Sequence, residues 1–172
     1  MADIDACVTY ILRNEDRQLT GKVTTDRGGR TRFGIAAKYH PELPDEFYTG
    51  SKESALVTAK KIYAEEYAAP LRLSSLKSQP LANKLMDFAV NAGVTRAATF
   101  AQTAVCDLGI HIAIDGALGT ISLTALNNLD QGKLMDRLII LCQNFYRSQA
   151  VKLNASKNEL TSWLARAARP GI

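Results

Sequence analysis

An apolar stripe at helical spacing opens the chain and constrains its fold more than any other sequence feature. Its members recur every three or four residues, as on a helix face packed against a core: Ile4, Cys7, Val8, Ile11 and Leu12. Asp3 precedes the stripe and is a typical helix N-cap. The stripe ends at a polar run, residues 13–17. The sequence therefore predicts a core-packed helix that carries Glu15 at its end.

The segment from residue 20 to residue 35 breaks this helical pattern. It combines β-branched residues with Gly21 and three further glycines, a composition that disfavours a regular helix. Short strands or a hairpin around Gly28 and Gly29 fit the segment best. Residues 40–50 hold two prolines and several acids, and are predicted to form a loop.

Helical patterns fill most of the remaining chain. The predicted helices span residues 51–67, 80–90, 95–108, 120–129, 133–152 and 158–168, with a short β-prone piece at 110–114. The chain shows no strong internal repeat and no low-complexity linker. We therefore predict a single domain over residues 1–172 that is mainly α, with one small β-hairpin element near its N-terminal third. Residues 1–80 form its catalytic-motif part and residues 81–172 a helical part.

Composition and charge narrow the classes of function. The chain is 47% hydrophobic, which is enough for a core and excludes general disorder. The net charge of +4 is concentrated in residues 13–38 and 130–172, each with seven basic and three acidic residues. This distribution fits a polyanionic partner or ordinary solubility charge equally well. The few aromatic residues are not interleaved with the basic ones, so no nucleic-acid partner is predicted.

The sequence offers no motif for metal, cofactor or membrane binding. Cys7, Cys106 and Cys142 lack metal-ligand spacing and are predicted to be reduced core thiols. The two histidines lie far apart, so we predict neither a metal nor an organic cofactor. We see no signal peptide and no run of about 18 apolar residues. The prediction is a soluble product of the cytoplasm, monomeric and without stable membrane insertion.

The chemistry that these features suit best is glycoside hydrolysis. This reaction needs a carboxylic acid to protonate the leaving oxygen and a second polar group to hold water or stabilise positive charge. Glu15, at a helix end, suits the acid, and Asp26 and Thr31 in the β-prone segment suit the second group. The alternative is that Glu15 is a surface charge paired with Arg13 or Arg17.

The run from Glu15 to Ile35 resembles glycoside hydrolase family 108, which contains phage endolysins. That family has a glutamate at a helix end, followed by an Asp-x-Gly-Gly-x-Thr-x-x-Gly-Ile element. All six positions of the second element are filled here, by Asp26, Gly28, Gly29, Thr31, Gly34 and Ile35. Asp16-Arg17-Gln18 follows the glutamate where the family usually has Gly-Gly-Tyr. Downstream segments resemble the family's peptidoglycan-binding part and C-terminal helices: residues 87–93, 97, 102, 115–120, 145–147 and 162–166.

The resemblance implies a lysozyme-like fold and cleavage of the β-1,4 bond between N-acetylmuramic acid and N-acetylglucosamine in peptidoglycan. It assigns the general acid to Glu15 and further catalytic roles to Asp26 and Thr31. Candidate substrate contacts are Arg30, Phe33, Asp87, Asn91 and Tyr146. Asp87 and Asn91 serve equally well as partners of buried backbone, and Tyr146 as a core anchor. The arginines at positions 17, 27, 30 and 32 are candidate partners for peptide-stem carboxylates, or are solvated.

The expected biological role is that of an endolysin acting on peptidoglycan glycan strands. Such a protein is made in the host cytoplasm and reaches the cell wall in the periplasm after a partner holin permeabilises the membrane. Three alternatives remain: a non-catalytic peptidoglycan-binding protein, a nucleic-acid-binding helical protein, and a lytic transglycosylase.

Overall fold

The computed structural model describes residues 1–26 and 29–172, with the backbone alone at Asp26. Within this part the fold is mainly α with a small antiparallel sheet near the N-terminal third, which confirms the predicted fold class. In chain order the elements are α1 (Ile4–Glu15), β1 (Thr24–Asp26), β2 (Gly29–Arg32), β3 (Ile35–Ala36), α2 (Asp45–Thr49), α3 (Lys52–Tyr63), α4 (Gln79–Ala92), α5 (Val94–Asp107), α6 (Thr120–Asn128), α7 (Gln131–Leu153) and α8 (Lys157–Ala167). A π-helical turn (Ala64–Ala68) extends α3, and a short 3-10 turn (Leu73–Ser75) precedes α4.

Helix α1 forms as its apolar stripe predicts. The carboxylate of Asp3 accepts hydrogen bonds from the backbone N–H groups of Asp5 and Ala6, at 2.8 and 3.2 Å, and so caps the helix. The stripe residues from Cys7 to Leu12 are buried and the helix packs on α4. Because the buried face fixes the helix, its last residue, Glu15, has a fixed place at the edge of the core.

The three strands form the predicted β element. They pair in the order β1-β2-β3, with Thr24 opposite Thr31 and Arg32 opposite Ile35. The predicted turn at Gly28 lies outside the described residues. Arg32 is buried, and its guanidinium donates to the carbonyl oxygens of Gly21, Phe47 and Gly50 at 2.8–3.0 Å. These bonds tie the sheet to the segments on either side of it.

Two local predictions are wrong. The segment predicted as a loop contains helix α2, because Asp45 and Glu46 favour a helix N-terminus and Phe47 and Tyr48 anchor the turn in the core. The β-prone piece at 110–114 forms no strand, since no strand pairs with it in the described part of the chain. Its side chains at both ends are at least 36% exposed.

Helix α4 is the centre of the molecule and anchors the C-terminal end of the chain. It contacts α1, α5 and α7, and all nine residues from 81 to 89 are buried. The ammonium of Lys84 donates to the carbonyl oxygens of Ala167 and Arg169, and the amide of Asn83 donates to that of Gly171. Burial lowers the pKa of Lys84. These bonds hold the end of α8 against α4, beside the end of α1.

The three cysteines and the lengths of the helices bear on the predictions of core thiols and of no membrane span. Cys7 and Cys142 are buried and Cys106 is half-buried, and all three thiols are free. Burial raises the pKa of Cys7 to about 11 and that of Cys142 to about 12. No helix in the described part of the chain is long and apolar enough to cross a membrane.

Candidate active site

Glu15 is held at the end of α1 by an ion pair with a distant arginine. The guanidinium of Arg166, on α8, donates to the Glu15 carboxylate oxygen Oε1 at 2.7 Å. About a fifth of each side chain is exposed, 22% for Glu15 and 21% for Arg166. Within the described residues no ion pair joins Glu15 to Arg13 or Arg17, the partners that spacing alone suggests. The carboxylate is therefore fixed by the C-terminal end of the chain.

Arg166 also binds Asp87, one of the predicted substrate contacts. Its Nε and Nη2 atoms donate to Asp87 Oδ1 at 3.0 and 2.8 Å, and the amide of Asn14 donates to the same oxygen at 3.1 Å. Burial alone lowers the pKa of Arg166, but the bonds and charges of Asp87 and Glu15 outweigh it and raise that pKa. Asp87 is only 4% exposed. It is thus a buried anchor for Arg166 rather than part of a groove wall.

The β element reaches Glu15 through Gly34. A Cβ atom at this position would lie 2.7 Å from Glu15 Cγ and 2.6 Å from the Tyr63 hydroxyl oxygen, and the backbone φ of +80° also favours glycine. The Tyr63 hydroxyl donates to the carbonyl oxygen of Phe33 at 2.9 Å. Burial and the charge of Glu15 raise the pKa of Tyr63, which keeps this hydroxyl protonated as a donor.

The predicted substrate contacts on the β element differ in accessibility. Phe33 is 2% exposed and packs against Gly21, so its ring is part of the core and offers no surface to a substrate. Arg30 is half-buried, pairs with Asp45 and lies 4.9 Å from the centre of the Tyr48 ring. Arg30 thus fixes the sheet against α2.

The proposed partners of the general acid lie on the first two strands. Thr31, in β2, is half-buried and stands opposite Thr24 of β1. Asp26 is the last residue of β1 and stands opposite Gly29. The register therefore places positions 26 and 31 diagonally across the β1–β2 pair. The side chain of Asp26 lies outside the described part of the structure.

Two grooves are lined by neighbours of Glu15. The first, which we call the tyrosine groove, has a volume of about 440 Å³. It is lined among others by Gly34, Tyr39, Tyr63, Tyr67 and Asn91. Gly34 and Tyr63 are the residues that contact or closely approach Glu15. Tyr39 is 74% exposed, and its ring is available to a ligand.

The second groove, the tryptophan groove, has a volume of about 540 Å³. Its walls include Asn14, Asn91, Tyr146, Trp163 and Arg166. Asn14 precedes Glu15 in α1, and Arg166 is the ion-pair partner of Glu15. Asn91 lines both grooves and is exposed, while its amide donates to the Asp87 backbone carbonyl oxygen at 2.7 Å. Both grooves are thus lined by neighbours of Glu15, and they share Asn91.

Tyr146 is a buried member of an aromatic cluster that also lines the tryptophan groove. It is 9% exposed, and its ring packs in an aromatic cluster, 6.1 Å from Phe88 and 6.1 Å from Trp163 between ring centres. Burial raises the pKa of its phenol. One edge still contributes to the tryptophan groove. The exposed aromatic surface beside it belongs to Trp163, which is half-buried.

The downstream motif around Gln102 has a structural role. The buried side-chain amide of Gln102 donates to Asp115 Oδ1, to the Ala117 carbonyl oxygen and to the Ser122 hydroxyl, and its oxygen accepts from the Gly116 N–H. These bonds fix the turn at residues 115–119 that leads into α6, as its sequence predicts. They lie outside both grooves.

One cluster in the described residues has the composition of a cation site. The ligand atoms of His40, Glu42 and Glu66 lie within 4.8 Å of one another. The Nδ1 atom of His40 is 3.2 Å from a Glu42 carboxylate oxygen and 3.7 Å from one of Glu66. A hydrogen bond between histidine and an exposed carboxylate accounts for this arrangement without an ion. His40 and Glu66 of this cluster line the tyrosine groove.

The sequence analysis did not identify three residues of this site. Arg166 is 151 positions from Glu15, and no local pattern links them. Tyr63 belongs to the apolar face of α3, where a core role is the ordinary interpretation. Asn14 lies in the polar run next to Glu15, but its bond to Asp87 depends on the packing of α1 against α4.

Comparisons with known proteins concern the fold and the family of the chain. The chain superposes on the structure of SagA from Brucella abortus with a TM-score of 0.65 and 20% sequence identity, covering 95% of this chain and 92% of that one. This likeness supports the fold. Comparison with curated proteins gives no match. The sequence model of the glycosyl hydrolase 108 family matches residues 8–93, which include Glu15, the β element and Asp87. The chain therefore belongs to the glycosyl hydrolase 108 family and is a glycoside hydrolase, with peptidoglycan as the substrate that this family supports.

Proposed function

We propose that the chain is a muramidase that hydrolyses the β-1,4 bond between N-acetylmuramic acid and N-acetylglucosamine in peptidoglycan, with Glu15 as general acid. The observation that carries the proposal is that residues next to Glu15 or in contact with it line both the tyrosine groove and the tryptophan groove. A glycan that occupies both grooves passes this carboxyl group. The bond to be cleaved then lies beside it.

The contacts of Glu15 suit an acid that presents one oxygen to the substrate. Arg166 binds Oε1, which leaves Oε2 as the oxygen to carry and donate the proton. Arg166 donates two hydrogen bonds to Asp87 and one to Glu15. Asp87 therefore neutralises most of the guanidinium charge.

Asp26 and Thr31 are proposed as the second catalytic element. Their positions on the β1–β2 pair and the family match over both residues support this assignment. In hydrolysis, such a group holds the attacking water or stabilises the positive charge that develops on the sugar ring. Arg166 is proposed as a positioning residue, because its guanidinium binds the carboxylate of the acid.

The groove walls provide contacts for sugar rings. Tyr39 and Tyr67 in one groove, and Trp163 with the edge of Tyr146 in the other, are aromatic surfaces suited to pyranose faces. Asn91 lies between them and can hydrogen-bond an acetamido group through its side-chain oxygen. Residues 81–172 therefore contribute substrate contacts as well as Arg166, within a single domain.

We further propose that the chain acts as an endolysin. It would be made in the host cytoplasm and act as a monomer on the cell wall in the periplasm, once a holin has permeabilised the membrane. The basic charge of the chain supports attraction to an anionic envelope.

Digestion of purified sacculi followed by mass spectrometry of the fragments tests the proposed reaction. A muramidase releases fragments with reducing N-acetylmuramic acid ends. Fragments ending in 1,6-anhydro-N-acetylmuramic acid would instead identify a lytic transglycosylase, and reducing N-acetylglucosamine ends would identify cleavage of the other bond. Retention on sacculi without any fragment would identify a binding protein.

A further inference from the structure

A third depression, the arginine pocket, lies beside the candidate active site. It has a volume of about 640 Å³ and is lined by Arg13, Asn14, Arg17 and Arg169. All three arginines are exposed. The pocket shares Asn14 and Arg169 with the tryptophan groove, so the two form one continuous surface. Glu15 lies within two residues of both Arg13 and Arg17 in the chain.

The arginine pocket has no carboxylate of its own. Among the described residues, no acidic group lies within 4.0 Å of the guanidinium groups of Arg13, Arg17 or Arg169, whereas Arg30 and Arg137 each have such a partner. Arg169 donates instead to the neutral side chain of Asn14, at 2.9 Å. The pocket thus gathers three positive charges whose fork-like donors suit carboxylates.

The nearest acidic residues face other groups. Asp16 accepts hydrogen bonds from the backbone N–H of Gly21 and the hydroxyl of Thr20. Asp3 and Asp5 line an adjoining depression that shares Arg13 and Asn14 with the arginine pocket, and neither forms an ion pair with an arginine of the pocket within the described residues. The positive charge of the arginine pocket is therefore available to a ligand that reaches it from the tryptophan groove.

The proposed substrate carries carboxylates close to the cleaved bond. Each N-acetylmuramic acid bears a peptide stem on its lactyl group, and stem residues have free carboxylates. An extended peptide advances about 3.5 Å per residue, so a stem of a few residues spans from a sugar beside Glu15 to the neighbouring pocket. Uncharged sugar hydroxyls would not require three arginines.

We propose that the arginine pocket binds carboxylates of the peptide stem and makes the chain selective for stem-bearing glycan. This inference rests on the proposed muramidase function and adds a recognition site to it. A nucleic-acid surface is the competing explanation for exposed arginines. Asn14 and Arg169 line both the arginine pocket and the tryptophan groove. This favours the peptide stem as the ligand, because the positive charge then lies where the substrate passes.

The test compares kcat/KM on two soluble glycan strands of equal length, one with stems and one from which an amidase has removed them. Stem removal leaves a lactyl carboxylate on each N-acetylmuramic acid, so both substrates are anionic. The ratio of the two kcat/KM values is measured for the parent chain and for the double variant Arg13→Gln/Arg17→Gln. Arg147→Gln/Lys133→Gln is the matched control, since it removes the same charge from exposed residues outside the three grooves.

Stem recognition predicts that the parent prefers stem-bearing strands and that this ratio falls about tenfold in the pocket variant but not in the control. An unchanged ratio, or an equal loss on both substrates, would overturn the proposal, and the equal loss would identify a general polyanion surface. If the parent cleaves neither strand, the muramidase proposal fails separately. The inference is then tested by how strongly each protein retains the two strands at equilibrium. It stands only if the parent prefers stem-bearing strands and the pocket variant loses this preference.

Discussion

The ion-pair network behind Glu15 gives the sharpest stability prediction. Arg166→Gln removes three hydrogen bonds and leaves the Asp87 carboxylate, whose side chain is 6% exposed, with only the amide of Asn14 as a donor. Loss of one partner from a buried ion pair destabilises a protein by about 3–5 kcal/mol. Because Arg166 keeps 21% of its side-chain surface in water, we expect about 3 kcal/mol. For a chain of this length that corresponds to a fall in Tm of about 6–12 °C.

Urea unfolding of a double-mutant cycle measures the coupling directly. Asp87→Asn in the Arg166→Gln background removes the unpaired charge, so the double variant should recover about 1–3 kcal/mol relative to the sum of the single changes. The control is Arg137→Gln, which breaks an ion pair with Asp107 whose partners are 34% and 35% exposed and should lose less than about 1 kcal/mol. Strict additivity, or a loss at Arg166 no larger than that at Arg137, would refute this reasoning.

The remaining predictions concern a glycine, a carboxylate and a thiol. Gly34→Ala should lower kcat by about tenfold or more, because the added methyl group displaces the acid. The control is Gly109→Ala, at a similar φ with nothing within 4 Å of an added Cβ atom, which should affect stability alone. Equal kcat values in the two variants would contradict this prediction. Burial raises the pKa of Asp16, but its hydrogen bonds outweigh burial and lower that pKa below the ordinary 3.8. The contribution of Asp16 to the free energy of unfolding is therefore present above this pH and is lost as the pH falls below it. Asp16→Asn should therefore lower the unfolding free energy by about 1 kcal/mol at pH 7, with a smaller difference at pH 3 by urea unfolding. Half-buried Cys106 should react with a thiol reagent at pH 8 before Cys7, whose pKa burial raises to about 11; mass spectrometry of the native protein identifies the first site.

The local structure was largely predictable because it follows from periodicity and turn composition. The stripe from Ile4 to Leu12 and the cap at Asp3 define α1 within the sequence itself. The glycines of residues 20–35 likewise define a short β element. Helix α2 was missed because its stability comes from the burial of Phe47 and Tyr48 in the tertiary structure, whereas the two prolines before it and its acids are also typical of a loop.

The position of Glu15 was predictable, but its surroundings were not. The Arg166 contact requires α8 to return to α1, and the buried polar residues of α4 fix that path by binding the backbone at the end of α8. Such contacts depend on packing between elements far apart in sequence. Tyr63 gave no signal for the same reason, since a buried tyrosine on an apolar helix face is ordinarily a core residue.

The most direct test of the central claim is the rate at which reducing ends appear when sacculi are treated with Glu15→Gln. The matched control is Glu53→Gln, an equal change at an exposed glutamate of α3, and binding of each protein to sacculi is measured in parallel. We predict that Glu53→Gln releases reducing ends at the parent rate and that Glu15→Gln releases them at least about a hundredfold more slowly. Both variants should still bind sacculi. Release by Glu15→Gln at the rate of the control would show that Glu15 is not the general acid.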